Sequence, residues 1–246
     1  TIIVNRTGTF IAQGTGRDAI RQICRQMLQH RLSRVATGDV VLSTKAPRKT
    51  RKACGRFWPN LHYATTGEGL SMTRLAAHYS ARDIEARILA AIRAAGLNPE
   101  QRLSPQALGA LDHFHTGGLS ASLELLELAR IRVEDHVLDV GAGLGGSARL
   151  LASTRGCRVD CIELSPDYCA GAVLLNRLTG LDDRIEVHEG SALDLPFPDA
   201  SFEVVWMQNV GMNIADKPRL YSEVCRVLKP GGRFAFQELA AGDVAT

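Results

Sequence analysis

No apolar run in the chain reaches the roughly 18–20 residues of a membrane helix, and the opening TIIVNRTGTFIAQ has no basic segment leading into a long apolar one. A helical membrane anchor and a secretory signal are therefore not expected, and a cytoplasmic location is. There is no internal repeat, which excludes a solenoid or propeller. None of the six cysteines, Cys24, Cys54, Cys157, Cys161, Cys169 and Cys225, forms a C-x-x-C pair. A zinc finger or redox motif lacks its spacing, no metal site is expected, and buried free thiols in a reducing compartment are.

The 246 residues suffice for one α/β domain and an appendage, and 45% hydrophobic with 22% charged residues is ordinary for a globular chain. The net charge of +3 conceals two unlike parts. Residues 1–71 hold 12 Lys/Arg against 3 Asp/Glu, whereas residues 72–246 hold 17 against 23. In the first part only 17–29 (RDAIRQICRQMLQ) has helical periodicity, and STKAPRKTRKACGRFWPN (43–60) is basic with no apolar face. Three accounts fit this leader: a basic arm for nucleic acid, an Arg-rich transit peptide, or sequence outside the natural product. The opening on Thr1 and the flip of character at Met72 favour the third, with low order over 30–70. Nucleic acid is not an expected partner, the leader being its only hint.

From Met72 the pattern sharpens. ARDIEARILAAIRAAG (81–96) carries Ile84, Ile88, Leu89 and Ile92 at helical spacing and stops at Gly96. LSPQALGALDHF (103–114) starts with Ser104 as N-cap and Pro105 at the first helical position, and LSASLELLELARI (119–131) follows. These three helices form an N-terminal helical layer over 72–131. Strand and helix then alternate over 132–246: strands at 136–140, 158–164, 184–189, 202–208 and 233–239, helices at 147–155, 167–180 and 216–229, the last stopped by Pro230-Gly231-Gly232. Alternation with crossover lengths implies an α/β fold with a Rossmann-like, doubly wound parallel sheet.

VLDVGAGLGG (137–146) sits at the first strand-to-helix turn. Gly141, Gly143 and Gly146 fit the dinucleotide pattern G-x-G-x-x-G, while Asp139, Gly141, Gly143 and Gly145 fit D-x-G-x-G-x-G. Glycines admit a ligand close to the backbone, and the following helix aims its N–H groups at it. An acid at the strand end suits a cationic ligand better than a pyrophosphate. Glu163 ends the second strand, 24 residues past Asp139, where a carboxylate can accept from both ribose hydroxyls of any adenosine ligand.

GSALDLPFPDASFEVVW (190–206) followed by RVLKPGGRFAFQE (226–238) completes a set of four motifs between His113 and Glu238. Together they resemble class I S-adenosylmethionine-dependent methyltransferases of type 11. FHTGGLSAS (114–122) and MQNVGMNIADK (207–217) are similar to the glycine, sarcosine and dimethylglycine N-methyltransferase type. The resemblance implies S-adenosyl-L-methionine as cofactor and a small-molecule acceptor methylated at nitrogen or oxygen. A quinone-type carbon methyltransferase is the alternative; an NAD-dependent oxidoreductase is disfavoured because no Tyr-x-x-x-Lys follows the glycines. By the family pattern Asp139, Gly141, Gly143 and Gly145 line the methionine and ribose of the donor. Glu163 holds the ribose hydroxyls, Leu164 lies beside the adenine, and Gln208 faces the methionine end or the substrate. Ser191-Ala192 takes the adenine edge, where many relatives have Asp-Ala. His113 and His115 are candidate bases. The resemblance further implies strand order 3-2-1-4-5. Relatives carry a helix and an antiparallel strand pair after the fifth strand, and residues 240–246 are too few for them, so the domain over 132–246 is expected to be C-terminally truncated, as a fragment or as a variant lacking the pair, with the fifth strand an open edge.

Overall fold

The computed structural model describes residues 83–112, 115 and 117–238, together with the backbone of 2–4 and 9–13. The expectations of a helix at 17–29 and of low order at 30–70 fall outside these residues, as does His113.

Two short strands come first, β1 (Ile2–Val4) and β2 (Thr9–Gln13). The helical layer has α1 (Ile84–Ala94), a 3-10 turn at Pro105–Leu108, a one-turn α2 (Gly109–Asp112) and α3 (Gly118–Ala129). Then follow β3 (His136–Val140), α4 (Gly146–Arg155), β4 (Arg158–Glu163), α5 (Pro166–Thr179), β5 (Ile185–Glu189), β6 (Phe202–Gln208), a 3-10 turn at Gly211–Asn213, α6 (Lys217–Val227) and β7 (Leu228–Gln237).

The N-cap read from the sequence acts as one: Ser104 accepts from the Ala107 N–H at 3.2 Å. Ser165 caps α5 by accepting from Tyr168 N–H, and Asp216 caps α6 by accepting from Arg219 N–H at 3.0 Å. Two boundaries differ from expectation. The described part of 103–114 is a 3-10 turn over Pro105–Leu108 and a single α-turn over Gly109–Asp112 rather than one regular helix. Pro230-Gly231-Gly232 is not the stop of α6: that helix ends at Val227, Leu228 is already extended against Phe202, and the Pro-Gly-Gly lies inside β7 at a register shift between Phe202 and Val204. Gly231, at φ +81°, makes the irregularity possible.

The five strands β5, β4, β3, β6 and β7 are parallel and lie side by side in that sequence, with β3 central, which is the expected order 3-2-1-4-5. Alternation along them divides the core. Leu138, Val140, Ile162, Val205, Met207, Phe234 and Phe236 pack with Leu220 and Val224 of α6 on one face. Val137, Val159, Cys161, Val204, Trp206 and Ala235 pack with α3 and α4 on the other. The isoleucines of α1 join Leu108, Leu144 and Leu175 in a third cluster outside α5.

The expected open edge is corrected. β2 pairs antiparallel with β7, Thr9 opposite Gln237 through Gln13 opposite Arg233, and β1 pairs antiparallel with β2. Among the described residues the sheet therefore has seven strands, and the pair beside the fifth parallel strand is β2 and β1, from the N-terminal residues. Backbone N–H and C=O groups of β7 cannot be left unpaired without cost, and a register of five residue pairs satisfies them. No side-chain pattern in 1–13 announces which edge it joins. Deleting residues 1–13 is expected to cost on the order of 3 kcal/mol, counting a few ladder bonds at about 1 kcal/mol each. Tm should fall by roughly 6–12 °C, with aggregation on heating seen by light scattering. An unchanged Tm would show that these strands do not pair with β7 in solution.

Candidate functional site

The turn after β3 runs from Gly141 to Gly145 and is closed by Gly141 N–H and Ala142 N–H donating to the Ile162 carbonyl of β4. Gly141 has φ +68°, and a Cβ there would meet Val210 Cγ2 at 2.4 Å, so the loop after β6 rests directly on this glycine. Gly143, at φ +56°, has nothing within 4 Å of where a Cβ would stand. The turn thus presents bare backbone to open space. Gly145 is the N-cap of α4 without a side-chain cap, which leaves the first N–H groups of that helix to face the same region.

Asp139 stands one pleat before the turn, 2% exposed. Its Oδ2 is buried and has no hydrogen-bond partner. Burial first, and then the charge of Glu163, push its pKa up from 3.8 to about 7; the Ala148 backbone N–H and the Arg149 charge offset only part of this. Glu163, at the end of β4, accepts from Gly143 N–H at 2.9 Å through one carboxylate oxygen and from Ser165 N–H at 3.0 Å through the other. Burial raises its pKa and those backbone donors partly restore it. It thereby fixes the glycine turn to the start of α5 and retains further lone pairs toward a ligand.

Gln208 ends β6 at the centre of a polar network. Its Oε1 accepts from Ser147 Oγ at 2.7 Å, Trp206 Nε1 at 2.9 Å and Ser122 Oγ at 3.2 Å, and its Nε2 donates to Gln237 Oε1 at 2.8 Å. An indole N–H only donates, which settles the orientation of the amide. Ser122 Oγ also lies 2.9 Å from His115 Nε2. A carbonyl oxygen has two lone pairs, so the Ser122 hydroxyl, the longest of the three contacts, is shared between Gln208 and His115. The structure thus connects the Gly117–Gly118 turn before α3 to the ends of β6 and β7.

Of the residues singled out in the sequence, Asp139, Gly141, Gly143, Gly145, Glu163 and Gln208 surround the carboxyl ends of β3, β4 and β6, where ligands bind in open α/β sheets. His115 reaches this group through Ser122. Leu164 is half-buried beside it. Ser191 and Ala192 are half-buried in the turn after β5, where Ser191 Oγ accepts from Leu193 N–H at 3.1 Å and Ser191 bridges Asp194. Sequence reading gave no role to Ser147, Trp206 or Gln237. It also missed the ion pair beneath the turn. Arg149, fully buried, donates from Nε and Nη2 to the two oxygens of Asp112 and from Nη1 to Asn176 Oδ1 at 2.8 Å.

A buried acid with one unpartnered oxygen, an open glycine cradle and a second acid one strand away lie together at the carboxyl ends of a Rossmann-like sheet. Residues 138–236 match the family described as a methyltransferase domain. The chain is 44% identical over 115 residues to the glycine/sarcosine/dimethylglycine N-methyltransferase of Actinopolyspora halophila, covering 47% of this chain and 20% of that protein. It is 41% identical over 97 residues to a probable chloroplastic tocopherol O-methyltransferase of Oryza sativa subsp. japonica, covering 39% and 27%. The matched segment therefore spans well under half the length of either relative. Among solved structures, the [4+2]-cyclase SpnF shares the fold with TM-score 0.53 at 24% identity over 69% of this chain and 61% of that one.

Two outcomes follow from the buried groups. Between pH 3.8 and about 7 the folded state keeps a proton on Asp139 that the unfolded chain has released, so this residue makes stability fall as pH rises through that window. Asp139→Asn is expected to remove the slope and to gain on the order of 2–4 kcal/mol at pH 8, read by urea denaturation. A loss instead would mean that the charged form is compensated in solution. Arg149→Met should cost about 3–5 kcal/mol by stranding the buried Asp112, and Asp112→Leu in the same chain should recover most of it. Additive losses in that double variant would contradict the pairing.

Proposed function

We propose that this chain is an S-adenosyl-L-methionine-dependent methyltransferase acting on a small molecule through a nitrogen or oxygen nucleophile. The observation that carries the reading is the buried, unpartnered Oδ2 of Asp139 beside the open face of Gly143. A nicotinamide dinucleotide would bring a pyrophosphate to an acid already disfavoured as a charge. A donor carrying an ammonium and a sulfonium would bring the positive charge that the acid lacks. The family match over 138–236 supports the same conclusion. That both an N- and an O-methyltransferase are similar over this segment supports small-molecule acceptors without choosing between the two.

The residues present fit that donor. Asp139 and the backbone of Gly141, Gly143 and Gly145 would hold its methionine and ribose, Glu163 its ribose hydroxyls, Leu164 the adenine face, and Ser191-Ala192 the adenine edge. Ser191 Oγ already accepts one backbone N–H, so it offers the adenine amino group a weaker acceptor than a carboxylate would. When bound, the sulfonium supplies an electrophilic methyl group. The chain's own task is alignment and exclusion of water. Gln208, its amide immobilised by four hydrogen bonds, bounds the site on the β6 side. His115 would take a proton from an acceptor that arrives protonated, with Ser122 holding its ring.

The test is calorimetric titration of S-adenosylmethionine, S-adenosylhomocysteine and NAD into the full chain, followed by a screen of amine and phenol acceptors. The first two should bind and NAD should not. Affinity should rise with pH toward pH 7 as Asp139 gives up its proton, and Asp139→Ala should abolish binding in a folded sample. His115→Ala should leave donor affinity within about twofold and lower kcat on a protonated acceptor by about 100-fold. Binding of NAD alone, or of no ligand by the folded chain, would overturn the proposal.

A further inference from the structure

Alternation along the strands places a second polar cluster on the opposite face of the sheet, outside the site described above. Asp160 of β4 pairs in register with Glu186 of β5, and His188 of β5 lies opposite Ile162, so all three side chains leave the sheet on the α6 face. His136 joins them from the start of β3. Asp160 is 5% exposed, and a buried carboxylate in an apolar layer requires partners.

The partners divide the carboxylate oxygens in two. Asp160 Oδ2 lies 2.7 Å from His136 Nε2, and Glu186 Oε2 lies 3.2 Å from Arg158 Nη2. The remaining oxygens, Asp160 Oδ1 and Glu186 Oε1, both face His188 Nε2, at 3.5 and 3.7 Å. The three donor atoms lie within 4.8 Å of one another. Separations of 3.5 and 3.7 Å are long for charge-assisted hydrogen bonds, which close to about 2.7–2.9 Å. They are the edges expected around one ion with donors at about 2.1 Å, corresponding to angles of about 110–125°. Phe197 packs edge-on against the His188 ring, with centroids 5.0 Å apart, and so holds its plane. Two of the donors stand on β5, an outer strand of the sheet, and Glu186 is well exposed, which provides an entry path.

We propose that Asp160, Glu186 and His188 bind a single divalent transition-metal ion of the zinc or cobalt class. The second oxygen of each carboxylate is held by His136 and Arg158, and the remaining coordination positions are left to water. The mixed imidazole and carboxylate set suits such ions better than calcium or magnesium. The ion would join β4 to β5 and neutralise two acids that otherwise face one imidazole.

The test uses Zn²⁺ and Co²⁺ salts with the full chain at pH 7.5, read by calorimetry, by thermal shift and by the visible spectrum of Co²⁺. One site should be lost, with affinity at least tenfold weaker, in both His188→Gln and Glu186→Gln. The Tm gain with Zn²⁺ should vanish with it, while S-adenosylmethionine binding is unchanged. Both positions are partly exposed and tolerate the change without unfolding, which circular dichroism checks. Unaltered metal affinity and stoichiometry in the two variants would overturn the proposal. So would a Co²⁺ spectrum dominated by thiolate charge transfer, or no binding at all.

Discussion

The buried pair of Asp112 and Arg149 is the interaction on which the site most depends. Arg149 lies in the second turn of α4, the helix that opens on the glycine turn, and Asp112 ends the short helix before the segment that carries His115. A Cβ on Gly146 would stand 2.1 Å from the Asp112 carbonyl oxygen, so the two backbones are already in contact where the ion pair joins them. Burial of both charges opposes folding, and it raises the Asp112 pKa more than Arg149 lowers it. The arrangement holds because the guanidinium is bidentate to the carboxylate and its remaining edge reaches Asn176 of α5. Helical layer, glycine helix and α5 are thereby fixed relative to one another at a single point.

That fixation lets each face of the sheet do a separate job. Odd-numbered positions of β3 and β4 carry Asp139 and Glu163 toward α3, α4 and the glycine turn, while even-numbered positions carry His136 and Asp160 toward α6. Along β6 the same rule sends Trp206 and Gln208 to the ligand side and Val205 and Met207 to the other. A one-residue slip in any strand would exchange the two sets. At the end of β7, Glu238 accepts from Gly211 and Met212 N–H groups. The loop after β6, whose Val210 rests on Gly141, is therefore held from the sheet edge as well as from the turn.

Much of this was legible in the sequence because it is local or periodic. The five parallel strands, their order, α4 through α6 and the residues of the glycine turn follow from alternation, caps and spacing. Three things did not follow. The pairing of β2 with β7 is a contact between residues more than 200 positions apart, and a five-residue strand does not name its partner edge. The 103–114 segment has the cap of a helix, but its described part is a 3-10 turn that runs into a single α-turn ending at Asp112, whose carbonyl docks against Gly146. The hydrogen bonds of Ser122, Ser147 and Gln237 to Gln208 unite four elements and have no spacing to detect. Cysteine spacing likewise does not register the grouping of Asp160, Glu186 and His188 over two paired strands.

Fold similarity alone does not carry the chemistry. A protein named as a [4+2]-cyclase has the same architecture, so the activity must be argued from side chains. Under the proposed reading, the mark of a methyl-donor site is an unfavourable state of the free protein: a buried carboxyl with one unpartnered oxygen and a pKa raised to about 7. A site built for an anion would have placed a cation or only N–H groups there. On that reading a cationic ligand would offset the cost of keeping Asp139 buried. Binding energy and charge discrimination would then have the same origin, in the acid that weakens the free domain.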